Sequence, residues 1–145
     1  MAKSQKQKRK QNPSNPRILP AGLGSGLFLG LALTLASRVS GYPLDTVLLD
    51  LSYVPVLSNF NTLFVQWAAH LLVALVAAWV YAKLTARLDV RSRRLGLVYG
   101  VLVSSIYFVL APQAAPELMT PFSWEAYLLW VAFHMLYGIV LEKLL

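Results

Sequence analysis

The chain has 145 residues, the size of one ordinary domain, but 57% of them are hydrophobic and only 13% charged, about half the charged share of an average soluble chain, roughly 25%. The net charge of +7 would suggest a nucleic-acid partner if it formed one face; here the basic residues gather at the N-terminus and between apolar stretches, so no nucleic acid is expected. There is no cysteine, which excludes disulfide chemistry, thiolate metal sites and iron–sulfur clusters.

Residues 1–17 form a polar tail with Lys3, Lys6, Lys8, Arg9, Lys10 and Arg17 and no apolar periodicity. It is expected to be disordered and cytoplasmic. Its charge reads as an orientation signal, in preference to a lipid- or RNA-binding element. Anionic headgroups would still be attracted by roughly 1 kcal/mol per basic residue near the surface.

The first apolar span covers about 18–39. Pro20 suits a first helical turn. Gly22, Gly26 and Gly30 recur every fourth residue, and small residues on one face let another backbone approach closely. The apolar run exceeds the h-region of about 7–15 residues in a signal peptide, so an uncleaved span is preferred. Residues 41–60 contain Pro43, Asp45, Asp50, Pro55 and Asn59 and cannot span. Leu44, Val47, Leu48, Leu51 and Val54 fall at helical intervals, predicting an outer amphipathic helix that Pro55 ends. Asp45 and Asp50 would solvate its far face.

The second span is 63–81, with Gln66 and His70 as its polar interruptions. Lys83, Arg87, Arg91, Arg93 and Arg94 then fill a basic loop. Basic residues beside spans stay on the cytoplasmic side, so these five are the topology-determining residues. The third span, 95–111, repeats the small-residue spacing with Gly96, Gly100 and Ser104 and is expected to end at Pro112, followed by an exposed loop to Ser123. The fourth is 124–141, where Glu125 complements the dipole of the first turn.

The fold class is therefore all-α: a polytopic membrane protein of four transmembrane helices in two similar hairpins, with the outer amphipathic helix, domain 18–145. Four crossings place both termini and the basic loop in the cytoplasm and leave Arg38 alone outside. The glycine-spaced first and third spans are expected to pack against each other.

The even spans each carry a tryptophan just before a histidine: Trp67-x-x-His70 and Trp130-x-x-x-His134. The histidines are expected at equal depth, about seven residues or roughly 10 Å inside. Ionisable groups in hydrocarbon should face the bundle interior. His70, His134, Gln66 and Tyr137 make up the candidate intramembrane polar site. Three roles stand open for the imidazoles: interhelical polar contact through a tyrosine, Gln66, Ser104 or a carbonyl; a proton or substrate relay; and a bis-histidine haem. Neither a catalytic constellation nor a metal-ligand pair is present in the sequence, and no cofactor is expected.

The glycine-spaced first helix, the proline-containing connector, the embedded histidine and His134-x-x-Tyr137-Gly138 resemble small bacterial inner-membrane proteins of the YagU-like type, over most of residues 20–141. The motif is complete once, since Val73 and Ala74 follow His70. The resemblance implies an inner-membrane location and brings no activity with it. The reading is a non-enzymatic integral membrane protein, an accessory subunit or small transporter-like bundle, with the lipid bilayer and a membrane-protein partner or self-association as its partners. The alternatives are a self-assembling holin-like pore and, third, a membrane enzyme or haem-binding protein using His70 and His134.

Overall fold

The computed structural model describes residues 16–145. The expectation of a disordered tail falls outside the described residues except at Pro16 and Arg17, which turn into the first helix. The described chain is all-helical: α1 (Ile18–Ser40), α2 (Leu44–Leu49), α3 (Leu63–Leu88), α4 (Arg93–Ser104), α5 (Tyr107–Ala114) and α6 (Trp124–Leu144). Four segments are long and apolar enough to cross a membrane: α1, α3, α4 with α5, and α6.

Helix boundaries follow local chemistry. Gly41 ends α1 in the left-handed region at φ 78°, and its N–H bonds the Ser37 carbonyl, the conformation glycine adopts without strain. Thr62, Ser92 and Ser123 cap α3, α4 and α6, each hydroxyl accepting from a backbone N–H three residues on. Such caps satisfy donors that the first turn leaves open.

Three expectations need correction. The amphipathic helix shrinks to the six residues of α2, because the Asp50 carboxylate takes the N–H and hydroxyl of Ser52 and the amide of Asn61. Those bonds favour turns over a continuing helix. Leu44 and Val47 are wholly buried, and α2 lies against α1, α3 and α5. Second, the basic stretch is mostly helical. Ala-Lys-Leu-Thr-Ala-Arg-Leu contains no breaker, so α3 runs on to Leu88 and carries Lys83 and Arg87 in its last turns, where cations suit the dipole. Arg93 and Arg94 open α4. Arg91 is left in the short turn between them. Third, Pro112 lies inside α5. The loop after it is not uniformly exposed, since Ala115 and Leu118 are buried.

The packing partners also differ from expectation. α1 packs against α3 and α6, and α4 against α6; α1 and α4 have no substantial contact. A Cβ at Gly26 would come within 2.6 Å of the Ala74 Cβ, and one at Gly22 within 2.9 Å of Leu75. A Cβ at Gly96 would stand 2.6 Å from the Gly138 carbonyl oxygen. Each glycine face thus meets the even helix that follows it. The reason is that α3 and α6 offer small residues at the crossings, Ala74 and Ala78 on one and Gly138 on the other, which the spacing within α1 and α4 alone could not reveal.

Trp130, Tyr81, Tyr107, Tyr137, Leu33 and Leu141 fill the centre, while Leu31, Leu35, Leu72, Val76, Leu102, Val109 and Leu128 lie exposed around the outside. A water-soluble monomer rarely shows a contiguous apolar surface of this kind.

Candidate functional site

The two histidines line one cavity of about 160 Å³. Leu29 of α1, Ala69, Val73 and Ala77 of α3, Val103 of α4, Ile106 of the α4–α5 joint, Leu110 of α5 and Tyr137 of α6 line it. Leu48, Leu51 and Tyr53 close it at the α2 end.

His70 owes its position to the glycines of α1. A Cβ at Gly30 would lie 3.4 Å from its Nε2, and with no side chain there the ring reaches the Gly26 carbonyl, donating from Nε2 at 2.9 Å. A carbonyl accepts only, so the proton is on Nε2 and Nδ1 is an acceptor. Trp67 meets the ring edge-on at 6.0 Å.

His134 is fixed differently. Its Nδ1 donates to the Trp130 carbonyl one turn back at 2.8 Å, leaving Nε2 as the acceptor. The ring lies over Trp130 with centroids 4.4 Å apart. Trp130 is itself anchored by its indole N–H to the Ser104 carbonyl, 3.0 Å. That carbonyl is free because the chain between α4 and α5 tightens to three-residue bonds, with the Phe108 N–H turning to Ser105. Ser104 therefore acts through its main chain; its hydroxyl bonds Val101.

Tyr137 is 1% exposed, and its hydroxyl has no hydrogen-bond partner. The Ser25 hydroxyl beside it donates to the Ala21 carbonyl at 2.7 Å, which leaves its oxygen able to accept from the phenol. A buried hydroxyl without a partner is uncommon.

Gln66 lines the cavity, but its amide donates to Asn61 at 2.9 Å, not to a histidine. Asn61 in turn donates to Asp50, so Gln66 belongs to a polar clamp over the α2 end. Burial raises the Asp50 carboxyl, but the hydrogen bonds from Ser52 and Asn61 and from nearby backbone outweigh it and hold the group below its ordinary 3.8. Burial pushes the Tyr53 phenol up, and the neighbouring Asp50 charge adds to the rise. Asp45 takes no part in this clamp; its carboxylate accepts from Thr46.

The expected equal depth of the histidines is corrected. His70 is seven residues into α3 and His134 ten into α6, about 10 and 15 Å along their helices at 1.5 Å per residue. The rings are staggered and not bonded to each other. A haem does not fit this arrangement, because the cavity is smaller than the roughly 300 Å³ at which small-molecule pockets begin. The nitrogen of His70 near α1 is also already engaged.

Glu142 has a role that its place in the sequence does not announce. It accepts from the Tyr81 hydroxyl and pairs with Arg91 at 3.6 Å, tying the α3–α4 turn to the end of α6. A carboxylate beside a chain end gives no sign in sequence of which tyrosine it will meet. Lys83, by contrast, lies over the Trp79 ring at 4.5 Å.

The fold and site together define a helical bundle with four candidate spans around a mostly apolar cavity lined by two imidazoles and two phenols. No family model, curated protein or solved structure matches the chain.

Proposed function

We propose that the protein is a non-enzymatic integral membrane protein, a small transporter-like or accessory bundle, whose cavity receives its ligand from the bilayer. The observation that carries this is the position of the cavity. Val73 and Ile106 line it and are also 59% and 39% exposed on the outside of the bundle, so it opens sideways between α3 and the α4–α5 joint. The opposite end lies beneath Leu48, Leu51 and Tyr53. With four crossings, the basic residues of the tail and of the α3–α4 turn put both termini in the cytoplasm of a bacterial-type inner membrane. The YagU-like resemblance points to the same location.

The bundle reads as two similar hairpins, α1 with α3 and α4–α5 with α6, related by an axis along the membrane normal. The pairing of each glycine face with the next helix supports this. The same pairing weighs against the holin-like alternative, which needs free glycine faces for self-assembly. The cavity lining holds no carboxylate, thiol or aliphatic hydroxyl, which weighs against a hydrolytic or group-transfer enzyme.

Reporters inserted at Glu117 and fused after Leu145 test the topology. The first should report outside and the second inside. A cytoplasmic signal at Glu117 would overturn the four-span arrangement.

A further inference from the structure

We propose that the cavity binds the O–H headgroup of a single apolar chain, the hydroxyl of a lipid alcohol or the protonated carboxyl of a fatty acid. The proposal rests on the membrane reading above and names the ligand chemistry of that site.

The ligand class follows from the polar valences left open in the cavity. His70 donates from Nε2 to Gly26 and His134 from Nδ1 to Trp130. Each ring then has one nitrogen with a lone pair and no hydrogen bond among the described residues. The Tyr137 hydroxyl has almost no accessible surface and lies beside the Ser25 hydroxyl, so it is closed to a ligand; the other polar groups of the lining are Tyr53 and Gln66. A complementary ligand therefore presents one donor to an imidazole nitrogen and, through the same or a second oxygen, an acceptor to the remaining polar groups of the lining, Tyr53 and Gln66. An O–H group supplies both from one or two oxygens. An ester, ether or quinone offers acceptors only, and would set its lone pairs against those of the imidazoles.

Charge narrows the class further. No Lys, Arg, Asp or Glu lines the cavity, so a phosphate or ammonium headgroup would enter without a counter-charge, and an unpaired charge in an apolar site is strongly disfavoured. Size narrows it again. About 160 Å³ equals roughly five waters at about 30 Å³ each, room for a small head and a few methylenes. The remaining chain would leave through the opening between Val73 and Ile106 and lie among lipid tails.

The test uses the purified full-length protein in detergent with three photoreactive probes of equal chain length, each carrying a diazirine near the head: a fourteen-carbon alcohol, the corresponding acid and its methyl ester. Crosslinked residues are mapped by mass spectrometry, with excess unlabelled alcohol or acid as competitor. Labelling by the alcohol or the acid should concentrate on residues 73–77 and 103–110, be competed at least fivefold, and exceed labelling by the ester at least fivefold. Whichever of alcohol and acid labels more strongly identifies the source. Tyr53→Phe removes only a hydroxyl that lines the cavity, so it should keep the melting temperature and lose at least threefold of the labelling. His134→Phe should do the same through the acceptor. Equal labelling by the ester, uncompeted labelling over the whole lipid-facing surface, or unchanged labelling in a His134→Phe protein of normal stability would each overturn the proposal. None of those outcomes affects the reporter result at Glu117, so failure of the ligand class and failure of the membrane topology are separable.

Discussion

The α1–α3 and α4–α6 contacts use the same small-residue spacing to different physical ends. In the first, glycines make room for side chains: Gly22, Gly26 and Gly30 lie under Leu75, Ala74 and the Trp67 ring. In the second, backbone meets backbone. A Cβ at Gly138 would overlap the Gly96 carbonyl, and one at Gly100 the His134 carbonyl. Backbones this close also permit Cα–H to carbonyl contacts, weak individually but recurrent at helix crossings. A side chain can rotate away from an intruding methyl group; a carbonyl held in a helix cannot. The first contact should therefore be adjustable and the second rigid.

The largest effect should follow from adding a single methyl to the rigid contact. Gly138→Ala is expected to destabilise by about 3 kcal/mol or more, since overpacking there can be relieved only by separating two helices. Unfolding in mixed detergent micelles measures it. A loss below about 1 kcal/mol would mean that α4 and α6 slide readily and that the contrast between the two contacts is wrong.

Gly26→Ala should destabilise less, by about 1–3 kcal/mol, because the intruding methyl meets the Ala74 Cβ, 2.6 Å away. Here the comparison yields a sharper test. Ala74→Gly alone should cost about 1 kcal/mol through helix propensity. Combined with Gly26→Ala it should restore the lost room, so the double variant should be more stable than the sum of the two losses predicts, as for residues in direct contact. No side-chain deletion can rescue Gly138→Ala in this way. Strict additivity of Gly26→Ala and Ala74→Gly would show that these two residues do not meet.

What the sequence made legible, and what it did not, follows the same division. The four spans were readable because each is a long apolar run bounded by polar or basic residues, and bilayer thickness fixes the length such a run needs. The glycine spacing identified two close-packed faces. It could not say which helix covers each, because that depends on Ala74, Ala78 and Gly138 at the crossings, and a lone glycine in α6 carries no repeat. Both histidines were legible as an interior pair by the cost of burying imidazole. Their tautomers were not, because these depend on carbonyls at Gly26 and Trp130 that no residue type advertises. The extent of α2 was misjudged for a local reason: apolar spacing continues to Val54, while the side-chain bonds of Asp50 break the helix five residues earlier in the chain.

At the cytoplasmic end expected from the charge pattern, Glu142 separates a buried partner from an exposed one. Tyr81 is wholly buried and donates to Glu142, whereas the Arg91 side chain is 42% exposed. Glu142→Ala should destabilise by about 1–3 kcal/mol, the loss associated with leaving a buried hydroxyl unpaired. Arg91→Ala should cost less than about 1 kcal/mol, as for solvent-accessible ion pairs. Equal losses would mean that the ion pair, not the phenol, holds the end of α6 to α3.

The smallest effect is also the most local, and it distinguishes the two outer connections. The one after α1 is held by polar bonds that Ser52 and Asn61 donate to Asp50 and Gln66 donates to Asn61. The one before α6 is held by rings, with Phe108 stacked on Phe122 at 6.2 Å and Tyr107 against Tyr127 at 5.4 Å. Each contains a carboxylate, Asp50 in the first and Glu117 in the second, but of the two only Asp50 is held by hydrogen bonds. The folded Asp50 carboxyl lies below its ordinary 3.8, so the stability it contributes is present above that value and is lost as pH falls through the lower, folded value. Acidification below 3.8 should therefore loosen residues 50–62 and leave residues 115–123 unchanged. Hydrogen exchange measured by mass spectrometry, after correction for the intrinsic pH dependence of exchange, reads both segments in one sample. Asp50→Asn should abolish the acid response while keeping much of the clamp, because an amide oxygen still accepts from Ser52 and Asn61. Loosening of both connections together would mean that acid acts on the bundle as a whole; persistence of the response in Asp50→Asn would assign it to a different group.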